Sequence, residues 1–270
     1  MTLIVVALSS FLFSQDDKTK SVNNATVVAV GQASLTDTYL SPLKYRGTNI
    51  SILNERIGAA GFINDNLLLR QQFYITTAFT KNPSSSASEY YGDLSYNVAG
   101  LYPVWQFDNF RLLAGGGFDA SLGGIYNVRN SNNPGSLKTS INMELAAMAT
   151  YNWKRFTFRW HVNTPFAGMF FTPGYGQSYY EIFSLGNGKG TVQFASFNNY
   201  LALQNYFTVD VPLNKATVRV GYLGNYYKTD INYLYTNIST HQFVLGLALE
   251  SLNFGGKRAK NSKHMESVFY

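Results

Sequence analysis

The sequence predicts an all-β fold, a closed antiparallel transmembrane β-barrel of about ten strands, with eight or twelve as the alternative counts. Three observations predict it. Apolar and polar side chains alternate with period two in blocks of roughly ten residues separated by turn residues. Only 13% of residues are charged while 16% are aromatic, against roughly 25% charged in a soluble domain. Beyond the first few residues no apolar run approaches the roughly 20 that a membrane helix needs, and mean hydropathy is −0.11. A wall that shows lipid one residue in two has this composition.

The chain opens on the apolar stretch Leu3 to Phe13, followed by Ser14-Gln15-Asp16-Asp17. That is the length of a signal-peptide core and too short to span a bilayer. Residues 1–14 are therefore expected to be a signal peptide, its missing basic head explained by a start placed too late. Residues 15–254 form the barrel, and 255–270 a basic polar tail.

An opening strand is expected over about Ala25 to Ala33. A second, roughly Asn49 to Phe62, turns at Asn64-Asp65-Asn66 into a third, where Leu67, Leu69, Phe73, Ile75 and Phe79 oppose Arg70, Gln72, Tyr74 and Thr76. Tyr90, Leu94, Tyr96, Val98, Tyr102 and Val104 then oppose Asp93, Ser95 and Asn97. Asp108-Asn109 leads into Phe110, Leu112, Ala114, Gly116 and Phe118, opposed by Arg111 and Asp119. The clearest block runs from Ser140 to Trp153. There Ile141, Met143, Leu145, Ala147, Ala149, Tyr151 and Trp153 share one face, a set that a helix would scatter. After a tight turn at Lys154, Phe156, Phe158, Trp160 and Val162 oppose Thr157, Arg159, His161 and Asn163. Leu201, Leu203, Phe207 and Val209 oppose Gln204, Tyr206 and Thr208. Pro212-Leu213-Asn214 turns into Val218, Val220 and Tyr222, opposed by Thr217 and Arg219. Phe243, Leu245, Leu247 and Leu249 close the series.

Four tight turns thus alternate with five long connections, near 34–48, 81–88, 124–138, 171–197 and 229–239. Ten strands follow, with both termini on the short-turn side; an extra pair within 164–182 would make twelve. Short turns at one end and long loops at the other are the asymmetry of bacterial outer-membrane barrels.

Over about 25–254 the chain resembles the bacterial outer-membrane β-barrel superfamily. Tyr39-Leu40-Ser41-Pro42-Leu43-Lys44-Tyr45 and Glu55-Arg56 make it most similar to small barrels common in Bacteroidota, whose function is not established. The resemblance implies an outer-membrane location, contact with lipids including lipopolysaccharide, and insertion by machinery that reads an aromatic-terminated last strand. The candidates for that terminus are Phe254 and Phe269-Tyr270. One local misfit accompanies it. Alternation points Glu55 inward and Arg56 at lipid, where a midplane Arg costs roughly 2–4 kcal/mol; a β-bulge near Glu55-Arg56 would re-aim it.

Inward residues form the candidate lumen network: Arg70, Tyr74, Asp119, Glu144, Arg159, His161, Arg219 and, lower down, Glu250. A ten-strand lumen is only modestly wider than an eight-strand one, which side chains fill, so these groups read as a polar plug held by acid–base pairs. Trp105, Tyr151, Trp153 and Phe156 at one rim, and Tyr90 and Tyr226 at the other, read as aromatic girdles. A hairpin register in which paired residues sum to 307 sets Glu144 across from Asn163 and diagonal to His161, with Ser140 higher on the same face. A carboxylate beside an imidazole can raise its basicity, so Ser140, Glu144 and His161 are the candidates for catalysis. Lipid A deacylases and an outer-membrane phospholipase use Ser and His, but on the lipid-facing wall. The outer loops also lack the Asp-pair and Asp-His constellation of omptin-like proteases. An enzyme is therefore not the favoured expectation.

No cysteine is present, which removes disulfides and thiolate sites. Three dispersed histidines argue against a metal site. Gly115-Gly116-Gly117 and 186–190 lack the strand-to-helix setting of phosphate loops, and no cofactor is expected. Net charge is +6, but only five of the 21 cations cluster (Lys215, Lys257, Arg258, Lys260 and Lys263), without a basic-aromatic surface, so nucleic acid is not expected as a partner. What remains is an integral barrel with a filled lumen, structural or binding a partner or ligand at its outer loops. The alternatives are a narrow solute channel and a barrel enzyme acting on lipid A or phospholipid. The longest loop, 172–198, carries Tyr179-Tyr180-Glu181-Ile182-Phe183 and is the candidate partner surface, since apolar side chains seek cover.

Overall fold

Alternating faces become ladders in the computed structural model, which describes residues 18–60, 66–213, 216–251 and 264–266. The signal-peptide segment, Asn64-Asp65, Phe254 and most of the tail lie outside the described residues. The barrel strands are β2 (Val22–Asp37), β3 (Ser41–Ala59), β4 (Leu68–Lys81), β5 (Ser88–Phe107), β6 (Phe110–Asn127), β7 (Gly135–Trp153), β8 (Phe156–Phe171), β10 (Tyr200–Pro212), β11 (Thr217–Ile231) and β12 (Leu234–Ser251). Each pairs antiparallel with its neighbour, β8 pairs with β10, and β12 returns to β2. The result is a closed ring of ten strands with no free edge. A short β1 (Lys18–Lys20) pairs in parallel with β13 (His264–Glu266) outside this sheet.

The wall is taller than the alternation suggested. Segments 34–48 and 229–239, expected as long loops, are strand: β2 runs to Asp37 and β3 restarts at Ser41, while β11 and β12 are joined by Asn232-Tyr233 alone. Both of these residues have positive φ, 57° and 61°, the two-residue turn whose twist matches a hairpin. Polar side chains hide the alternation there, because they occupy the buried inward face as well, as Asp37 and Thr236 do. Strands of 13 to 20 residues exceed the roughly 9–11 that a bilayer requires.

The segment 164–182 holds no hidden pair of wall strands. β8 continues through it to Phe171; after it come a short helix α1 (Tyr179–Phe183) and β9 (Val192–Ser196). β9 pairs with the upper part of β8, Ala167↔Ser196 to Phe171↔Val192, in line with β10, which pairs with the lower part, Asn163↔Gln204 to Thr157↔Asp210. Four steps along β8 therefore face eight along the partner, and the ladder is interrupted at Thr164-Pro165-Phe166. Pro165 has no amide hydrogen to donate, and Phe166 is an extra residue bulged out of the β7–β8 register.

Outward stand Val28, Val30, Ile50, Ile52, Phe73, Ile75, Phe243, Leu245 and Leu247, all 40% or more exposed. Inside, apolar clusters fill successive levels. Ile57, Leu68, Leu101, Leu113 and Met148 close the lumen near the β3–β4 turn, and Leu35, Leu40, Tyr45, Ala87, Ile125 and Ile238 close it at the opposite mouth.

Candidate functional site

The lumen is built around Glu55. Strand alternation puts it inward with Leu53 and Ile57, and the β3–β4 ladder runs past it without a bulge. The expected bulge at Glu55-Arg56 is absent because none is needed. Arg56 faces out three residues before β3 ends, at the level of Asn24, Asn54 and Gln71, so it stands near the rim and not at midplane.

Three guanidiniums converge on the Glu55 carboxylate. Arg70 Nε donates to Oε1 at 2.8 Å, while Arg159 Nη2 and Arg219 Nη1 donate to Oε2 at 2.7 and 2.8 Å. Arg219 also grips Asp210, its direct partner across the β10–β11 ladder, through two bonds of 2.7 Å. Such fork-to-fork pairing is the strong form of the contact. Asn97 accepts from Arg70 at 3.2 Å and Asn23 from Arg219 at 3.1 Å. Seven strands contribute, and the side chains of Arg70 and Arg219 are 0% exposed.

Of the residues expected in the lumen, Arg70, Arg159 and Arg219 are thus brought together. Tyr74 belongs to a neighbouring hydroxyl–amide cluster with Ser51 (3.0 Å), Asn225 (3.1 Å) and Gln242 (3.3 Å). Glu144 accepts from Asn163 Nδ2 at 2.6 Å. Asp119 lines a cavity above the arginines. Glu250, opposite Asn23, is exposed near the end of β12.

Ser140, Glu144 and His161 do not assemble. The turn is Lys154-Arg155, so pairs sum to 309 up to the Phe166 bulge and 310 beyond it: His161 faces Met148, Glu144 faces Pro165 and Ser140 faces Phe170. Four residues along a strand separate each level from the next, about 13 Å. Ser140 instead contacts Ser121 (2.9 Å), Asn142 (3.0 Å) and Tyr200 (3.3 Å). His161 is buried with neither ring nitrogen hydrogen-bonded. Among the described residues no group of three or more His, Cys, Asp or Glu could hold a metal.

Trp105, Tyr151, Trp153 and Tyr90 stand outward, each at least 44% exposed; Phe156 and Tyr226 are partly covered. Ring pairs join them to neighbours: Trp105–Phe110 at 5.6 Å, Trp153–Phe156 at 6.3 Å and Phe79–Tyr90 at 5.8 Å.

Sequence reasoning omitted Glu55 and Asp210 from the network. Both were legible, since Asp210 continues the inward series Gln204, Tyr206, Thr208. The Lys138–Asp37 pair at 2.9 Å was hidden, because Asp37 fell in a presumed loop.

Loop 172–191 is ordered on the rim. Ser178 caps α1 by a reciprocal capping box with Glu181. Tyr179 stacks on Phe171 at 6.1 Å and meets Tyr39 edge-on at 5.7 Å. The Tyr39 hydroxyl donates to Gln177 O at 2.9 Å, and burial, with Tyr179, Asp37 and Glu181 nearby, pushes it up to about 12.

A closed ten-strand barrel with a lipid-type belt outside and an ion-paired lumen inside has the architecture of bacterial outer-membrane β-barrels. The chain belongs to the family described as Protein of unknown function (DUF3316), whose model matches residues 1–258. Among solved structures it is similar to the outer membrane protease OmpT of Escherichia coli, at 10% identity over 86% of this chain and 97% of that one, with a TM-score of 0.51. The translocator domain of the autotransporter NalP from Neisseria meningitidis gives 11% identity over 86% and 88%, with a TM-score of 0.41. Neisserial surface protein A gives 11% over 84% and 96%, with a TM-score of 0.35. At such identity the likeness is one of fold. No curated protein matches the sequence.

Proposed function

We propose that the protein resides in the bacterial outer membrane as a non-conducting barrel that binds a ligand or partner from its outer half. The supporting observation is the ion-paired cross-link of the lumen at Glu55. Arg70 and Arg219 have no solvent-accessible side-chain surface, and an apolar cluster packs the level below them. A water-filled path is thereby interrupted, whereas open porins keep an aqueous channel. Bilayer lipids, lipopolysaccharide included, would surround the exposed belt, and the barrel-insertion machinery would place it. The ordered loop 172–198, with Tyr175, Tyr180 and Phe183 each at least 65% exposed, would offer the outer contact surface. The unassembled Ser140, Glu144 and His161 give no support to catalysis.

Planar-bilayer recording tests the reading. The wild-type chain should show no steady conductance, and the double variant Glu55→Ala/Arg159→Ala, which removes side-chain bulk from the lumen centre, should show discrete openings. Steady porin-size conductance from the wild type would overturn the proposal and make the barrel a channel.

A further inference from the structure

The outward face is not equally apolar all round the wall. A strand crosses the bilayer with roughly 9–11 residues and so turns about five successive side chains to lipid. β7 meets this with Ile141, Met143, Leu145, Ala147, Ala149 and Tyr151. β2, β3 and β4 do not. Each has only two in succession, Val28 and Val30, Ile50 and Ile52, Phe73 and Ile75, all 40% or more exposed.

The register gathers these positions into one patch. Val28–Ile52–Ile75 form its middle rung, with Val30–Ile50 above it. Higher still, Gln32 pairs with Thr48; below, Thr26 pairs with Asn54, and Asn24–Arg56–Gln71 make a rung without an apolar side chain. On both flanks the same rungs run into apolar wall, since Leu247 is the partner of Thr26, Leu249 of Asn24 and Val98 of Gln71. The lower polar groups therefore stand where neighbouring strands still face lipid. Asn54 Nδ2 donates to Asn24 Oδ1 at 3.0 Å and to Thr26 Oγ1 at 2.8 Å, but amides and hydroxyls hold more donors and acceptors than these bonds use. Lipid chains satisfy none of them.

An exposed apolar patch rimmed by polar groups has the anatomy of a protein contact. Three strands are about 14 Å wide, and the length of β2 from Asn24 to Ser34 is about 36 Å. Each copy would contribute roughly 500 Å², and a pair roughly 1,000 Å², the lower bound for a specific interface.

We infer that the β2–β4 face docks a second copy of this chain, related by a two-fold axis normal to the membrane. Two copies inserted the same way round present the same patch to each other about such an axis, which requires the patch to complement itself. Asn24, Thr26, Asn54 and Gln71 each donate and accept, and Arg56 of one copy can donate to the amide oxygens of the other. The cations stand at the ends of the patch, Arg56 on its lowest rung and Arg46 and Lys81 above Gln32–Thr48, so its middle calls for no acidic partner. Apolar side chains gain little by leaving lipid for one another, and polar groups drive the association. Docking on this face requires lipid around the wall, as proposed above, but not a closed lumen.

The chain has no cysteine, so single introduced thiols report proximity. The full chain is placed in phosphatidylethanolamine–phosphatidylglycerol vesicles at low protein density and oxidised with a copper catalyst. Ile52→Cys should give a covalent dimer, and Leu145→Cys, on β7 of the far wall, should not. Adding Asn54→Leu/Gln71→Leu to Ile52→Cys makes the face lipid-like without touching the lumen and should lower the dimer yield at least tenfold. Vesicle flotation separates the two readings. Protein that does not float overturns the membrane location together with the dimer. Floating protein that stays monomeric, cross-links equally through both positions, or cross-links in native membranes to a different protein in place of itself overturns the dimer alone.

Discussion

At the scale of residues, one carboxylate organises the interior. Asp210 alone would leave the three buried guanidiniums at +2; Glu55, ion-paired to all three, halves that excess. Breaking a buried pair by removing one partner strands the others and destabilises by about 3–5 kcal/mol. Glu55→Gln, which keeps the shape, should therefore lower the unfolding free energy of the vesicle-embedded barrel, read from urea titration, by an amount of that order. Arg56→Gln, one residue along on the exposed face, should stay within about 0.5 kcal/mol. Equal shifts for the two would show that the convergence on Glu55 adds nothing. Alternation alone assigned these neighbours to opposite faces. What it left open was height and partner, because Arg159 and Arg219 lie 104 and 164 residues away along the chain and meet Glu55 only once the ring closes.

At the scale of elements, the β7–β8 hairpin shows what a pattern of period two retains and what it loses. Up to the Phe166 bulge, a register sum of 309 in place of 307 moves each residue's partner by two positions along the facing strand. A change of two leaves each side chain on its own face. Faces were therefore legible and contacts were not, which is why Glu144 and His161 shared a face without sharing a site. Short apolar runs in loops were harder still. Tyr179-Tyr180-Glu181-Ile182-Phe183 suggested cover, and one turn of helix packed on Phe171 and Tyr39 supplies it for Tyr179 and Ile182, while Tyr180 and Phe183 stay exposed. The signal for that helix was the capping pair Ser178 and Glu181, three residues apart. The Ser178 backbone N–H and hydroxyl both donate to Glu181, at 2.7 and 3.0 Å, and hold its carboxyl below the usual range. A depressed acid contributes stability above its unfolded value, near 4.3, and loses it as pH falls through the folded one. The Ile182 and Leu185 amides should thus be better protected from hydrogen exchange at pH 5 than at pH 3, relative to intrinsic rates. Glu181→Gln should flatten the difference. Equal protection at both pH values in the wild type would remove the carboxylate from the cap.

At the scale of the whole molecule, strand number and parity followed from counting alternating blocks. The full height of the wall did not, because polar side chains such as Asp37 and Thr236 occupy its buried inward face too and the period-two signal fades. Closure makes the ring as strong as its weakest ladder. Nine of the ten junctions are continuous but for single-residue irregularities. The tenth, β8 with β10, has its rungs interrupted between Asn163↔Gln204 and Ala167↔Ser196. One side chain bridges that gap, Thr164 Oγ1 donating to Ala202 O at 2.8 Å. Local opening follows low contact density and missing ladder bonds, so the barrel should open first there. In membrane-embedded protein, peptides covering 164–166 and 197–203 should exchange about tenfold or more faster than peptides over 50–56 and 72–78, whose ladders are complete on both sides. Pro165→Ala restores a donor but leaves the length mismatch, so it should slow that exchange only in part. Uniform exchange around the ring would mean that the seam is held as firmly as any other junction, by contacts that the broken ladder does not supply.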